Sequence, residues 1–336
     1  VTAPGVLFIA EAIVAPVEVI KYFGEDAIIA KECEIAYNAT LMALLWDGIA
    51  TTNAKLLYQG VKNLPAKLER ATWLNYVRCH DDIGFGFDDN DVRAADYEPF
   101  AHRKFLVDYF SGQFETSPAR GMVFMRNDET GDARICGSLA SLAGLEAAAE
   151  SGDSALILAA VNKILLLHSV ILSFGGIPLL YNGDALGVVN DYSYLDDPGK
   201  SGDNRWIHRP KINWERAELR KRQGTVEYSL FSALKKMIAI RKETTAFADF
   251  NNRELLDVDN EHLLCFIRFN HLRPSERVLV VANFDANPQY LDLDVISGRG
   301  INLYGRFVDL YSGRSPAQFD RRIVLQAYQF YWLTEI

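Results

Sequence analysis

The residues best suited to chemistry in this sequence are carboxylates and a histidine that close apolar runs. "NYVRCHDDIGFGFDD", residues 75–89, leads hydrophobic and aromatic positions into His80, Asp81 and Asp82 and then breaks into Gly and Phe. Three groups that cost free energy to desolvate need a reason to stand at the end of a buried run. Glu11 follows "VLFIA" in the same way, and Asp184 follows "IPLLYNG". Several carboxylates without clustered Cys or His make a poor transition-metal site. They suit acid/base work on a neutral substrate, as in glycoside cleavage. There one carboxyl group protonates the departing oxygen and others hold negative charge against an oxocarbenium-like transition state. Phe8, Tyr76, Phe85 and Phe87 fit stacking against a sugar ring, although aromatic stripes of this kind equally serve as plain core.

Carboxylates from distant parts of the chain meet only if strands deliver them. "GVLFIAEAIV", "CEIAYN", "TWLNYVRCHDD" and "GIPLLYNGD" read as short strands, and between them lie helical patterns. "PVEVIKYFG" is expected to be a short helix closed by Gly24, "ATLMALLWDGIATTNAKLLYQGVKNL" helical up to Pro65, and "SALILAAVNKILLLHSVILSF" a long core helix. Strand and helix alternating in this way imply a parallel sheet. In such a sheet the polar residues at the carboxyl ends of strands project onto one face, so Glu11, the His80–Asp82 triplet and Asp184 are expected on one rim. Residues 85 to about 146 lose the rhythm and read as a loop-rich insertion. After about residue 248, "HLLCFIRFN", "RVLVVANFD", "QYLDLDV", "GRFVDLYSG" and "RIVLQAYQFYWLTE" are short strands separated by turn residues, the pattern of an antiparallel β-sandwich.

At 336 residues, 49% hydrophobic and 24% charged, the chain can bury a sizeable core and form more than one domain. A formal charge of −9 with no Lys/Arg block argues against nucleic acid as a partner. Cys33, Cys79, Cys136 and Cys265 are far apart and form no CxxC pair, so buried free thiols are expected and neither zinc nor a disulfide framework. "ILLLHSVILSFGGIPLLY" is interrupted by His168 and a Gly-Gly-Ile-Pro break, which favours a core helix and strand over a membrane span. "ERAELRKRQ" reads as a solvated helix face.

"FIAEAIV", "YVRCHDDIGF", "FGGIPLLYNGD" and "GDNRWIHRP" together resemble the second half of a family 13 glycoside hydrolase, and within that family the sucrose-active amylosucrases. His-Asp-Asp-Ile-Gly and Gly-Asp-Asn-Arg-Trp are the specific motifs; the Glu after the first strand is not. The resemblance implies an α/β fold, the second half of a (β/α)8 TIM barrel with an inserted subdomain, followed by a C-terminal antiparallel β-sandwich. Residues 1–82 would carry barrel strands 5 to 7, 83–148 the inserted subdomain, 149–248 the end of the barrel with strand 8, and 249–336 the sandwich. It implies that Glu11 is the general acid/base, that Asp81 stabilises the transition state by gripping the distorted glucosyl ring, and that His80 is its hydrogen-bonding neighbour. Asp82 and Arg134 would face the leaving sugar, and Arg205 would close the blind end of the glucose pocket by pairing with an aspartate. Read alone, Asp82 could also be a turn cap, Arg134 and Arg205 could also be surface ion-pair partners, and Asp184 reads as structural. The implied activity is glucosyl transfer from sucrose to an α-glucan, or to water, without cofactor or metal.

Two departures stand out. The family's nucleophile is an Asp after barrel strand 4, with an arginine two residues before it. A retaining mechanism needs that second carboxylate about 5 to 5.5 Å from the acid, and no residue here matches it. The nucleophile, the aspartate partner of Arg205 and the N-terminal half of the barrel are therefore expected upstream of Val1. Secondly, "YNGDALG" has Ala185 where the family usually has Glu, which is expected to alter support for the pocket rim.

Overall fold

The computed structural model describes residues 5–12, 16–24, 32–66, 68–127, 132–248, 251–300 and 305–336. Four short strands, β1 (Ile9–Ala10), β2 (Ile35–Tyr37), β3 (Thr72–Tyr76) and β6 (Ile177–Leu179), form a parallel sheet in that order. Ile9 pairs with Ile35, Ala36 with Trp73 and Leu74 with Ile177, so the strands run in register toward one carboxyl edge. They are shorter than their apolar runs. β3 ends at Tyr76, four residues before His80, and of "GVLFIAEAIV" only two residues pair while 13 and 14 lie outside the described residues.

Helices follow where capping residues start them. Asn38 accepts from Leu41 N–H and opens Ala39–Thr51. That helix stops at Thr52, which takes a left-handed φ of 53°, and Asn53 accepts from Lys55 N–H to start a separate helix, Lys55–Lys62. The single expected helix is thus two. Pro16–Val19 runs on as a 3-10 turn, Ile20–Phe23, which Gly24 closes at a φ of 98°. Asp153 caps Ser154–Ser173 by accepting from Ala155 and Leu156 N–H.

The segment between β3 and β6 is more regular than its sequence suggested. It holds helices Asp89–Ala94 and Pro99–Phe110, a hairpin of β4 (Met122–Phe124) and β5 (Arg134–Cys136), and helices Leu139–Leu142 and Leu145–Ser151. Phe85 and Phe87 are buried, Phe85 stacking on Phe110 at 6.0 Å, and Tyr76 is also buried; these three are core and not sugar platforms, while Phe8 is exposed.

The C-terminal region is two antiparallel sheets. β7 (Arg253–Leu256), β8 (Leu263–Asn270), β9 (Arg273–Asn283), β11 (Phe307–Asp309) and β14 (Phe330–Glu335) make a five-stranded sheet in the order β11-β14-β9-β8-β7. β10 (Gln289–Asp292), β12 (Gln318–Phe319) and β13 (Arg322–Leu325) make a three-stranded one. Alternation assigns their faces. Leu263, Cys265 and Ile267 pack with Leu291, Ile323 and Leu325 between the sheets, whereas Leu264 and Phe266 join the core formed with the helices. Because β8 is covered on both faces, its sequence is a continuous apolar run.

Helix Ser154–Ser173 is long and apolar enough to cross a membrane, yet most of it is enclosed in this core. Its last carbonyls, which no helical N–H can reach, receive guanidinium groups. Arg241 donates to Leu172 O (2.5 Å) and Gly176 O (2.6 Å), Arg268 to Ser173 O (2.6 Å) and Arg253 to Phe174 O (2.8 Å). Three cations stand at the negative end of a helix dipole: Arg253 of β7 and Arg268 of β8 fasten the sandwich there, and Arg241 fastens the helix Val226–Glu243. Cys79, Cys136 and Cys265 are buried free thiols, while Cys33 is only half-buried.

Candidate functional site

Glu11 follows directly on β1, and His80 lies in the extended segment after β3. Their side chains meet at the carboxyl edge of the sheet, His80 Nε2 standing 3.2 Å from Glu11 Oε1, with both groups half-exposed. Glu11 from one strand end and His80 from another therefore meet at one place. Tyr37, at the end of β2 between them, lies edge-on to Tyr76 at 5.3 Å. Burial, and then the nearby Glu11 charge, raise the Tyr37 hydroxyl above its ordinary range. Sequence reading did not single out Tyr37, though its position at a strand end was a usable signal.

Asp81 accepts from Arg205 Nη1 at 3.0 Å. Arg205 sits in the 3-10 turn Asn204–His208 and is held by Asp203, which accepts from its backbone N–H at 3.0 Å, from Nε at 2.9 Å and from Nη2 at 2.9 Å. The guanidinium also lies 5.2 Å from the Phe124 ring centre. An upstream aspartate was expected to hold Arg205; within the described residues Asp203 and Asp81 do so. Burial by itself would raise the Asp81 carboxyl. Hydrogen bonds from Arg205 and from Asp82 outweigh it and keep Asp81 below its ordinary value, so it is an anion at neutral pH.

Asp82 is enclosed and takes a different cation as partner. Ile83 and Ile135 exchange backbone hydrogen bonds, Ile83 N–H to Ile135 O at 2.8 Å and Ile135 N–H to Ile83 O at 2.9 Å, which brings β5 alongside the triplet. Arg134 Nη1 then donates to Asp82 Oδ2 at 3.1 Å. Desolvation and the adjacent Asp81 charge push Asp82 upward, with Arg134 opposing them. Two neighbouring carboxyl groups with opposed shifts separate an anion from a group that holds its proton more tightly. Beside Arg134 opens a cleft of about 560 Å³ lined by Phe85, Asp89, Phe100, Arg103 and Asp132.

Asp184 is not on the rim. It is fully buried at the start of a 3-10 turn, and burial raises its carboxyl to about 8 against the opposing charge of Arg78. Ala185 packs half-buried against the core. Among the described residues no group of three or more His, Cys, Asp or Glu side chains could hold a metal ion.

Residues 253–332 match the Maltogenic Amylase, C-terminal domain family, a span that runs from β7 into the first half of β14. Glucosylglycerate phosphorylase from Escherichia coli is 25% identical over 301 residues, covering 89% of this chain and 49% of that protein. Trehalose synthase from Thermus thermophilus is 23% identical over 319 residues, covering 89% of this chain and 28% of that protein. In three dimensions, sucrose 6F-phosphate phosphorylase from Thermoanaerobacter thermosaccharolyticum superposes with a TM-score of 0.56 at 17% identity, covering 83% of this chain and 47% of that one. The chain thus spans half or less of the length of these proteins. It is related to carbohydrate-active enzymes of glycoside hydrolase family 13, and its fold is like part of theirs, a (β/α)8 barrel with a C-terminal antiparallel domain.

Proposed function

We propose that residues 1–336 carry the acid/base and transition-state half of a retaining glucosyl-transfer site that takes sucrose as donor. The observation that carries this reading is the meeting of Glu11 and His80 at 3.2 Å, beside an Asp81 kept anionic by Arg205. Glu11 protonates the fructose oxygen as the glycosidic bond breaks and then takes a proton from the acceptor hydroxyl. Asp81 faces the positive charge that develops on the glucosyl ring, with His80 hydrogen-bonding to the same sugar. Arg134 faces the departing fructose, held from behind by the enclosed Asp82, which was expected to face that sugar itself but is buried, and Arg205 closes the glucose pocket. On this reading residues 83–148 are a subdomain inserted after the seventh strand of a barrel. The nucleophile, and the partner strands for β1 and β6, come from the N-terminal half of the same barrel.

The acceptor is an α-glucan or water. Inorganic phosphate is a second reading, favoured by the names of two of the similar proteins, both phosphorylases. Full-length protein incubated with sucrose, with and without phosphate, separates them. Fructose in excess of free glucose, with polymer accumulating, is the expected result. Equal glucose and fructose would mean hydrolysis, and glucose 1-phosphate would mean phosphorolysis. No fructose under any condition would overturn sucrose as the donor, and no cleavage of any α-glucoside would leave a sugar-binding remnant. Glu11→Gln and Asp81→Asn should each lower kcat by about 100-fold or more.

A further inference from the structure

We propose that Arg78 and His208 are positioning residues that fix the consecutive peptide carbonyls of His80 and Asp81, and through them the aim of both side chains. The inference rests on the glucosyl-transfer reading for its consequence and on hydrogen-bond geometry for its content.

The segment needs such a device because β3 ends at Tyr76 and the next backbone ladder contact is at Ile83. Between them the chain is held by side chains. Trp46 Nε1 donates to Val77 O at 2.9 Å. His80 O accepts twice, from His208 Nε2 at 3.1 Å and from Arg209 Nε at 2.8 Å. Asp81 O accepts from Arg78 Nη1. The two clamps are joined at Gly137, just after β5: Arg78 Nε donates to Gly137 O at 2.6 Å, and Gly137 N–H donates to His208 Nδ1 at 3.2 Å. A closed circuit runs through Arg78, Gly137, His208, His80 and Asp81.

The circuit dictates residue types. His208 must accept on one side and donate on the other, and the Gly137 N–H at Nδ1 leaves the proton on Nε2, where it meets the His80 carbonyl. Arg78 offers a fixed fork to two carbonyls, and its guanidinium is buried with no hydrogen-bond partner for Nη2 among the described residues. Burying a charge with an unmade hydrogen bond is costly. That cost is understandable where backbone orientation at a site is the return. Turning the peptide between residues 80 and 81 would swing His80 away from Glu11 and Asp81 away from Arg205 together, which makes the circuit a single point of control over both.

The test uses the full-length protein with sucrose and with 4-nitrophenyl α-glucoside, reading kcat, KM and melting temperature. His208→Leu and Arg78→Met should lower kcat on the order of 100-fold with KM within about threefold, because a misaimed group costs rate more than ground-state binding. His208→Gln, which can still accept and donate, should recover most of the loss. Arg209→Met removes one donor from the exposed side and should fold regardless, with kcat down about three- to tenfold. Wild-type kcat in folded His208→Leu or in Arg209→Met, or equal losses in His208→Gln and His208→Leu, would overturn the positioning role while leaving glucosyl transfer standing. If the unaltered protein cleaves neither α-glucoside, the glucosyl-transfer reading falls and the positioning role with it.

Discussion

Two histidines buried in the neutral form should each cost stability in acid by an amount that can be worked out, against the buried Asp184, whose raised carboxyl acts in the opposite direction over the same interval. His168 lies within helix Ser154–Ser173, fully enclosed, its Nδ1 paired with Ile164 O at 2.8 Å. Burial lowers it from 6.5 to about 4. His208 falls to about 2, through burial first and then the charge of Arg78. Both folded values lie below the unfolded one, so below pH 6.5 the unfolded chain binds protons that the folded chain refuses. Stability is then lost as pH falls, and the loss grows until the folded value is reached. At about pH 5 each histidine costs about 2 kcal/mol by linkage, and almost none of this is present at about pH 7.5. Urea unfolding of the unaltered full-length protein and of the His168→Leu variant at the two pH values isolates the His168 share, because the Asp184 contribution is common to both. His168→Leu, which keeps the volume and removes the titration, should lose about 2 kcal/mol less across that interval than the unaltered protein. Parallel losses in the two proteins would refute the reasoning, because they would mean that His168 takes up its proton in the folded core.

Arg268→Met should lower stability by about 3 kcal/mol or more, because it leaves the carbonyls of Ser173 and Ala248 and the side-chain oxygen of Asn252 without their buried donor; thermal unfolding reads it. Gly176→Ala should cost about 3 kcal/mol, since residue 176 has a φ of 95° and a Cβ there would run into the Trp73 carbonyl of the adjacent strand. Destabilisation by Gly176→Ala no greater than at Gly152, which also has positive φ but open space around it, would show that the strand contact carries no weight.

What could be read in advance depended on whether the signal was local. Glu11 and the His80–Asp82 triplet were legible because charged residues closing an apolar run are unusual wherever they occur. Asp203 was not, since its importance lies in chelating Arg205 and nothing in "GDNRW" distinguishes a ligand from a turn cap; it is both. The helices between residues 88 and 110 had local signals that the irregular pattern outweighed. Asp88 caps by accepting from Asn90 N–H, and Glu98 accepts from Phe100 and Ala101 N–H with Pro99 in the first turn. Phe85 and Phe87 show the opposite failure. An aromatic beside a carboxylate cannot be assigned to core or surface until its neighbours, here Phe110 and His102, are known. The circuit behind the triplet was illegible for a related reason, as Arg78, Gly137 and His208 are distant in sequence and are brought together by the Ile83–Ile135 bridge and the 3-10 turn Asn204–His208.

The burial gradient across the site links chemistry to assembly. From the hairpin side to the β1 side, Asp82 is enclosed, Asp81 is partly covered, and Glu11 and His80 are half-exposed. The same direction leads to the outer edge of β1, where Val6, Leu7, Phe8 and Ile9 are all exposed, and at the opposite edge Ile177 of β6 is exposed as well. Within the described residues neither β1 nor β6 has a second neighbour. A short parallel strand with an open, apolar edge is a template for pairing with another chain. Covering that edge would also desolvate Glu11 and His80, strengthening every charge in the site. Residues 1–336 prepared on their own should therefore self-associate in a concentration-dependent way, which sedimentation velocity would detect. A monomer stable at high concentration would show that the edges are satisfied without a partner. The proposal that a second half-barrel completes both the sheet and the site would then lose its structural support.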